Sequence, residues 1–195
     1  MKISYTHITS HQSSREGARI HGLVLHTTEG GDNPDSDLVT LGAIFDGEEA
    51  SAHLGVNVDG KFGRYVDDSA KAWAVCNFNP MTLSLEQIGF AAFSRSEWFK
   101  RHDQLHGAAE FLQYGHEHYG VPIRKGYCSG GAITRDGVFQ HKDFGTMGCG
   151  HSDCGPGYPQ KYVELLARYF VAVHRDPNSL TTKRLRWQVN RIRKR

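Results

Sequence analysis

The sequence predicts an α/β fold in which a central mixed β-sheet is flanked by helices. Three observations carry this. Short apolar or alternating segments crowd the first half of the chain, two long amphipathic helical patterns follow, and glycine-rich turns lie between them. A length of 195 residues with 38% hydrophobic content suits one domain with a sizeable core, expected to act as a monomer. Charged residues at 23%, with 22 glycines and only 6 prolines, exclude extended disorder and collagen-like repetition. No apolar run approaches the ~20 residues that span a bilayer. The first seven residues lack the apolar core of a secretory signal, so the chain is expected to be soluble and not exported by a signal of its own.

The elements follow in order. Residues 20–25 are short, apolar and partly β-branched, which predicts a buried strand ending at His26. Residues 35–45 predict a helix, with Leu38, Leu41 and Phe45 at helical spacing and Asp35 or Ser36 able to cap it. Asp59-Gly60 joins two alternating segments, 51–58 and 61–66, as a hairpin. Residues 72–75 and 83–93 read as further strands. A long helix is expected over 96–119, where Phe99, Leu105, Ala109, Leu112 and His116 share a face and Gly120 and Pro122 end it. Residues 126–157 read as glycine-rich loops and 158–174 as a second amphipathic helix. Asp176-Pro177-Asn178-Ser179 breaks that helix, and 180–195 reads as a short basic one. The domain organisation is therefore a main body over 1–179 and a basic C-terminal helix or tail over 180–195.

The net charge of +2 is unevenly spread. Seven basic residues and no acid fall within 183–195, which leaves 16 basic against 21 acidic residues elsewhere, a body near −5. Such a tail is either a solvated, frayed helix or an electrostatic anchor for a polyanion. Nucleic acid is not the expected partner, because the tail has no interleaved aromatic except Trp187 and the body is acidic.

Three segments could carry chemistry: His26 at a strand end, His141 within Gln140-His141-Lys142-Asp143, and residues 150–157 with His151, Asp153 and Cys154. Imidazole nitrogens with a carboxylate or thiolate suit Zn²⁺. Cys149, His151, Asp153 and Cys154 could alternatively form a closed zinc knuckle, or simply a turn. The four cysteines are too few for a disulfide scaffold in a chain of this length.

The order of these segments resembles the type 2 N-acetylmuramoyl-L-alanine amidase family, which includes phage amidases and peptidoglycan recognition proteins. The likeness spans roughly residues 20–172. It rests on Leu25-His26-Thr27-Thr28, Ser51-Ala52-His53-Leu54-Gly55-Val56 with Asp59-Gly60-Lys61, Val66-Asp67-Asp68 leading to Ala72-Trp73, Ser84-Leu85-Glu86-Gln87-Ile88-Gly89, Gln140-His141-Lys142-Asp143 and Asp153-Cys154-Gly155-Pro156. The resemblance implies a zinc amidase that cleaves the lactyl–L-alanine amide of peptidoglycan. It implies His26 and His141 as zinc ligands, with Asp153 preferred to Cys154 as the third, because Gly155-Pro156 then keep their places. Glu86 resembles the general base, and His151 occupies the place of a basic residue that stabilises the oxyanion. His53 and Trp73 are expected in the cleft as substrate contacts, although His53 could equally be packed. Trp73-Ala74 lacks the histidine that often follows the tryptophan, and Glu86 sits in an altered context that could shift its register. The rival is a recognition module of the same fold that binds wall fragments without cutting them. The expected setting is a phage lysin held in the host cytoplasm until release to the wall, with anionic wall polymers met by the basic tail; a bacterial amidase recycling wall fragments is the other.

Overall fold

The computed structural model describes residues 1–193. Its strands are β1 (Ile3–Thr6), β2 (Gln12–Ser14), β3 (Gly22–Thr27), β4 (Leu54–Val56), β5 (Phe62–Arg64), β6 (Ala70–Ala72), β7 (Thr82–Gln87), β8 (Tyr127–Ser129), β9 (Ala132–Arg135) and β10 (Gly137–Gln140). Its α-helices are α1 (Asp37–Gly47), α2 (Arg95–Lys100), α3 (His102–Tyr119), α4 (Gln160–Arg175) and α5 (Leu180–Arg193). Two 3₁₀ segments, Cys76–Met81 and His141–Gly148, precede β7 and follow β10. The central sheet has the order β1-β5-β4-β7-β3-β10. β4, β7, β3 and β10 run parallel, and β5 pairs antiparallel with β4, so the sheet is mixed as expected.

Alternation along β3 and β7 sorts the two faces. Leu23, Leu25, Leu83 and Leu85 enter the main core with Leu105, Phe111 and Leu112 of α3 and Val163 and Leu166 of α4. Val24 turns the other way, into a cluster with Phe78, Phe139 and Phe144. His26 and Glu86 lie on that second face, two residues beyond Val24 and Ser84.

Several elements depart from expectation. The predicted helix over 96–119 is two helices, because Arg101 leaves helical geometry (φ −92°, ψ 50°). Its buried guanidinium pairs with Asp32 and donates to the Ile88 carbonyl at 2.6 Å. The strand predicted over 83–93 stops at Gln87, and residues 126–157 carry β8, β9 and β10 rather than loops alone. Glycine misled there. A Cβ on Gly137 would lie 2.3 Å from the Arg124 carbonyl oxygen, so that glycine marks close strand approach and not a turn.

Leu180–Arg193 packs on α4. Thr182 is fully buried, Val189 belongs to the main core, and Leu185 and Ile192 lean against it. Ser179 caps the helix by accepting from the Thr182 amide at 3.1 Å. Lys194 and Arg195, the last two basic residues of the expected tail, lie outside the described residues. Val189→Ala is expected to cost about 1–3 kcal/mol in urea denaturation, the loss of a buried branched side chain plus its cavity; an unchanged midpoint would mean that this helix does not stabilise the body.

Candidate active site

Parallel register brings the site together. His26 pairs with Glu86 across β3 and β7, and Gln140 of β10 pairs with Leu25, so His141 follows at the level of His26. The turn after the second 3₁₀ segment returns Asp153 to the same point, where the Thr27 amide donates to Asp153 Oδ2 at 3.3 Å.

The His26 Nδ1 and His141 Nδ1 atoms are 3.1 Å apart. Asp153 lies 3.3 Å from the first through Oδ2 and 3.4 Å from the second through Oδ1. Ligand atoms about 2.0–2.1 Å from a tetrahedral Zn²⁺ stand about 3.3 Å apart, so this donor set fits that ion. The proton of His141 is also placed correctly. His141 Nε2 donates to the Gly148 carbonyl at 2.6 Å, which leaves the Nδ1 lone pair for the cluster. Among the described residues, this is the one group of three histidine, cysteine or acidic residues arranged to hold a metal.

The electrostatics fit a cation. Burial lowers the His26 pKa and keeps the ring neutral, against the opposing hydrogen bond to Asp153. Burial alone would raise Asp153, but its close contacts with His141 and His26 outweigh it and hold the carboxyl well below the usual range. Glu86 is pushed well above its ordinary value by burial and by the charges of Asp153 and Glu29, and its Oε2 is buried without a partner. These groups open into a cleft of 560 Å³ whose lining holds Glu29, Glu49, Glu86 and Asp153 and, among the described residues, no lysine or arginine.

The sequence-predicted residues divide clearly. His26, His141, Asp153, Glu86, His151 and Trp73 all line this cleft. His151 stacks on His141 with ring centroids 4.5 Å apart. Trp73 stacks on His11 at 5.2 Å and donates Nε1–H to Ser13 Oγ. His53 does not join them. It is 1% exposed and its ring is used inside the protein. The Ser84 amide donates to Nδ1 at 3.0 Å, Nε2 faces the Ala70 carbonyl at 3.2 Å, and the Arg15 guanidinium lies 2.6 Å from that same nitrogen. The expected substrate contact is thus replaced by a core role. The closed zinc knuckle is absent too. Cys149 is bonded to Cys76, and Cys154 is buried beneath the cluster, its Sγ 3.6 Å from Gln87 Nε2. Burial and nearby carboxylates raise the Cys154 thiol well above its ordinary value, which disfavours the thiolate a ligand would need.

Sequence reasoning missed Glu29, whose carboxylate accepts from Thr27 Oγ1 and the Ala91 amide, and Asn79, whose Oδ1 accepts from the Ala74 and Val75 amides. Their signals were weak: a polar residue before a glycine pair, and an asparagine before a proline.

Residues 16–157 match the family model described as N-acetylmuramoyl-L-alanine amidase. Among solved structures, the chain is similar to AmpD, with 17% identity, 85% of this chain and 95% of that one covered, and a TM-score of 0.61. It is also similar to the hydrolase AmiA of Staphylococcus aureus, at 17% identity, 89% and 87% coverage and a TM-score of 0.64. A third is the endolysin N-acetylmuramoyl-L-alanine amidase LysCS of Clostridium intestinale, at 14% identity, 84% and 95% coverage and a TM-score of 0.54. At such identities the likeness is one of fold. No curated protein sequence matches the chain.

The His53 site has a measurable consequence. Burial, then the neighbouring Arg15 charge, depresses its pKa to about 3 from the ordinary 6.5. The unfolded chain therefore binds the proton first as pH falls, and stability is lost from about pH 6.5 downwards, at up to ~1.4 kcal/mol per pH unit. Urea denaturation at pH 6.5 and pH 5 should show His53→Gln losing about 1.5–2 kcal/mol less than the parent over that interval. Parallel losses would mean that His53 is not held neutral.

Proposed function

The chain belongs to the N-acetylmuramoyl-L-alanine amidase family, and from that premise we propose that it is a zinc-dependent hydrolase of the lactyl–L-alanine amide of peptidoglycan. The observation that carries this reading is the convergence of His26 Nδ1, His141 Nδ1 and the Asp153 carboxylate beside a buried, unpartnered Glu86 at the base of an open cleft. Two neutral imidazoles and one carboxylate form a three-ligand set that leaves a position open, the pattern of a catalytic rather than a structural site. The same set favours an enzyme over a recognition module that merely binds wall fragments.

Bound Zn²⁺ would supply Lewis-acid polarisation of the scissile carbonyl and acidify a water. The remaining work falls to side chains. Glu86, level with His26 on the neighbouring strand, is placed to take the proton of the attacking water and deliver it to the leaving amine of L-alanine. Burial raises its pKa above the ordinary carboxylate value, the direction that favours releasing the proton as well as accepting it. His151, stacked on His141 in a cleft that holds no lysine or arginine among the described residues, can donate a hydrogen bond to the developing oxyanion. Trp73, half-buried on the cleft wall, offers an apolar face to the glycopeptide.

The proposal extends to setting and partner. No helix among the described residues is long and apolar enough to cross a membrane. We assign the protein to the phage lysins, held in the host cytoplasm until it meets the wall. Lys161, Arg168, Arg184 and Arg191 line a 650 Å³ groove between α4 and α5. This basic face complements anionic wall polymers and offsets the acidic body. In the same division, residues 1–179 carry the chemistry and 180–195 are the basic C-terminal helix or tail.

The purified protein is expected to hold about one Zn²⁺ per chain, and His26→Ala or His141→Ala to lose metal and activity together; stoichiometric zinc in the double variant would overturn the site. Glu86→Gln should keep its metal and lose about 10²–10⁴ in turnover of a soluble muropeptide. Near-normal turnover would place the base elsewhere. Arg184→Gln with Arg191→Gln should leave that turnover unchanged but weaken binding to intact walls and blunt its salt dependence, exposed charges being screened beyond about 8 Å at physiological ionic strength. Unaltered wall binding would reject the anchor.

A further inference from the structure

The Cys76–Cys149 disulfide lies in the cleft wall, and both residues line the same cavity as the histidine cluster. The two Cα atoms are 6.1 Å apart, within the range a disulfide bridges. One half-cystine stands at the start of the 3₁₀ segment Cys76–Met81, which runs directly into the strand carrying Glu86. The other directly follows Gly148, whose carbonyl accepts the His141 Nε2 proton at 2.6 Å. From Cys149 the chain continues through Gly150 to His151, which stacks on His141, and then to Asp153.

The segment 145–152 has little else to hold it. All its residues but Gly148 are exposed. Its internal bonds, Cys149 N–H to Thr146 O and Gly150 N–H to Gly145 O, close turns, and its C-terminal end is joined to the body by Gly155 N–H to Ser152 O at 3.2 Å. Among the described residues, its side-chain hydrogen bonding to the body beyond the His141 contact is the weak approach of Asn77 Nδ2 to Met147 Sδ at 4.0 Å. Both half-cystines also occupy left-handed backbone, with φ of +49° at Cys76 and +70° at Cys149. A side-chain-bearing residue keeps that conformation only where its surroundings impose it.

We propose that the Cys76–Cys149 disulfide is a redox-controlled brace of the metal site: closed, it holds the Gly148 carbonyl where His141 must present Nδ1, and open, it releases segment 145–152 and weakens metal binding. The inference rests on the zinc reading given above. In reduction the Sγ–Sγ bond breaks and both sulfurs become thiols, while two molecules of a cellular thiol supply two electrons and two protons and join as their own disulfide. Thiol-rich interiors favour the open form and oxidising exteriors the closed one. The amidase would therefore be held at low metal occupancy inside a cell and completed outside it. The chain's own residues carry this coupling: Cys76 and Cys149 are positioning residues, acting through Gly148 on His141.

The test compares air-oxidised protein, protein reduced with a phosphine, and Cys76→Ser with Cys149→Ser. A phosphine is chosen because dithiols themselves bind zinc; it takes oxygen from water as the disulfide becomes two thiols. Zn²⁺ affinity is measured by competition with a chromophoric chelator, at a temperature where circular dichroism shows every form folded. Oxidised protein is expected to bind about 10–100-fold more tightly than the reduced and double-serine forms, the usual effect of losing a hydrogen-bond partner of a ligand histidine. Long-range ¹H–¹⁵N spectra of the metal-free protein supply a second readout: His141 should be a single Nε2–H tautomer when oxidised and a mixture when reduced. Equal affinities, tighter binding on reduction, an unchanged tautomer or four free thiols in the oxidised protein would each overturn the brace. Failure of the oxidised form to bind zinc at all would overturn the zinc reading beneath it.

Discussion

Everything at the site depends on the parallel register of β7, β3 and β10. Parallel strands put like ends together, so side chains that follow the last residues of neighbouring strands meet without any loop having to reach. His26 sits opposite Glu86 because Gly22 sits opposite Thr82, and His141 arrives beside His26 because Gln140 is opposite Leu25. A slip of one residue in β7 would turn Glu86 into the leucine layer and bring Leu85 into the cleft. What forbids the slip lies on the other face: Leu83 and Leu85, fully buried, fit against α3. The hydrophobic core thereby sets the catalytic geometry to within the stiffness of its packing.

A concentration of negative charge follows from that geometry. Glu29, Glu49, Glu86 and Asp153 face one cleft that contains no lysine or arginine among the described residues. Carboxylates this close repel one another unless protonated or compensated, and the opposite directions in which Glu86 and Asp153 are pushed express that conflict. A divalent cation between His26, His141 and Asp153 would relieve it. Four basic residues, Lys161, Arg168, Arg184 and Arg191, line the α4–α5 groove elsewhere. The fold thus separates an acidic cleft from a basic helix face, although the net charge of +2 gives no hint of either.

Much of this was legible in the sequence because strand alternation and residue order are local signals. The apolar run 20–25 announced β3, and the histidine at its end was displayed by that strand alone. Glu86 was legible only through its resemblance to the family's general base, since alternation with Leu83 and Leu85 marks it merely as a residue facing away from the core. The choice between Asp153 and Cys154 was not, since adjacent residues on a turn differ only in which way they point. His53 was misjudged because a histidine in a polar strand reads alike in a cleft or in a core. The deciding partner, Arg15, lies 38 residues away in a stretch without periodicity. The Cys76–Cys149 link is 73 residues long and carried no local mark at either end.

The loop that carries His151 and Asp153 is held differently at its two ends. Past Asp153 the hold is steric. A Cβ on Gly155 (φ +82°) would lie 1.9 Å from the Ala91 carbonyl oxygen, and one on Gly157 would lie 2.1 Å from that of Phe93. Only glycine permits this contact with the segment that follows β7, and the backbone there is as fixed as the core beneath it. The Asp153 carboxylate, one residue into that buried stretch, inherits its rigidity. Before His151 the chain is exposed and tied mainly by sulfur. The carboxylate arm of the donor set is therefore built permanently into the fold, whereas the orientation of His141 hangs on a carbonyl whose neighbour is a half-cystine. Of the two ends, the second is the one held by a bond that thiols can break, so on the proposed reading a chemical change at Cys149 would reach the candidate metal site through the backbone of Gly148.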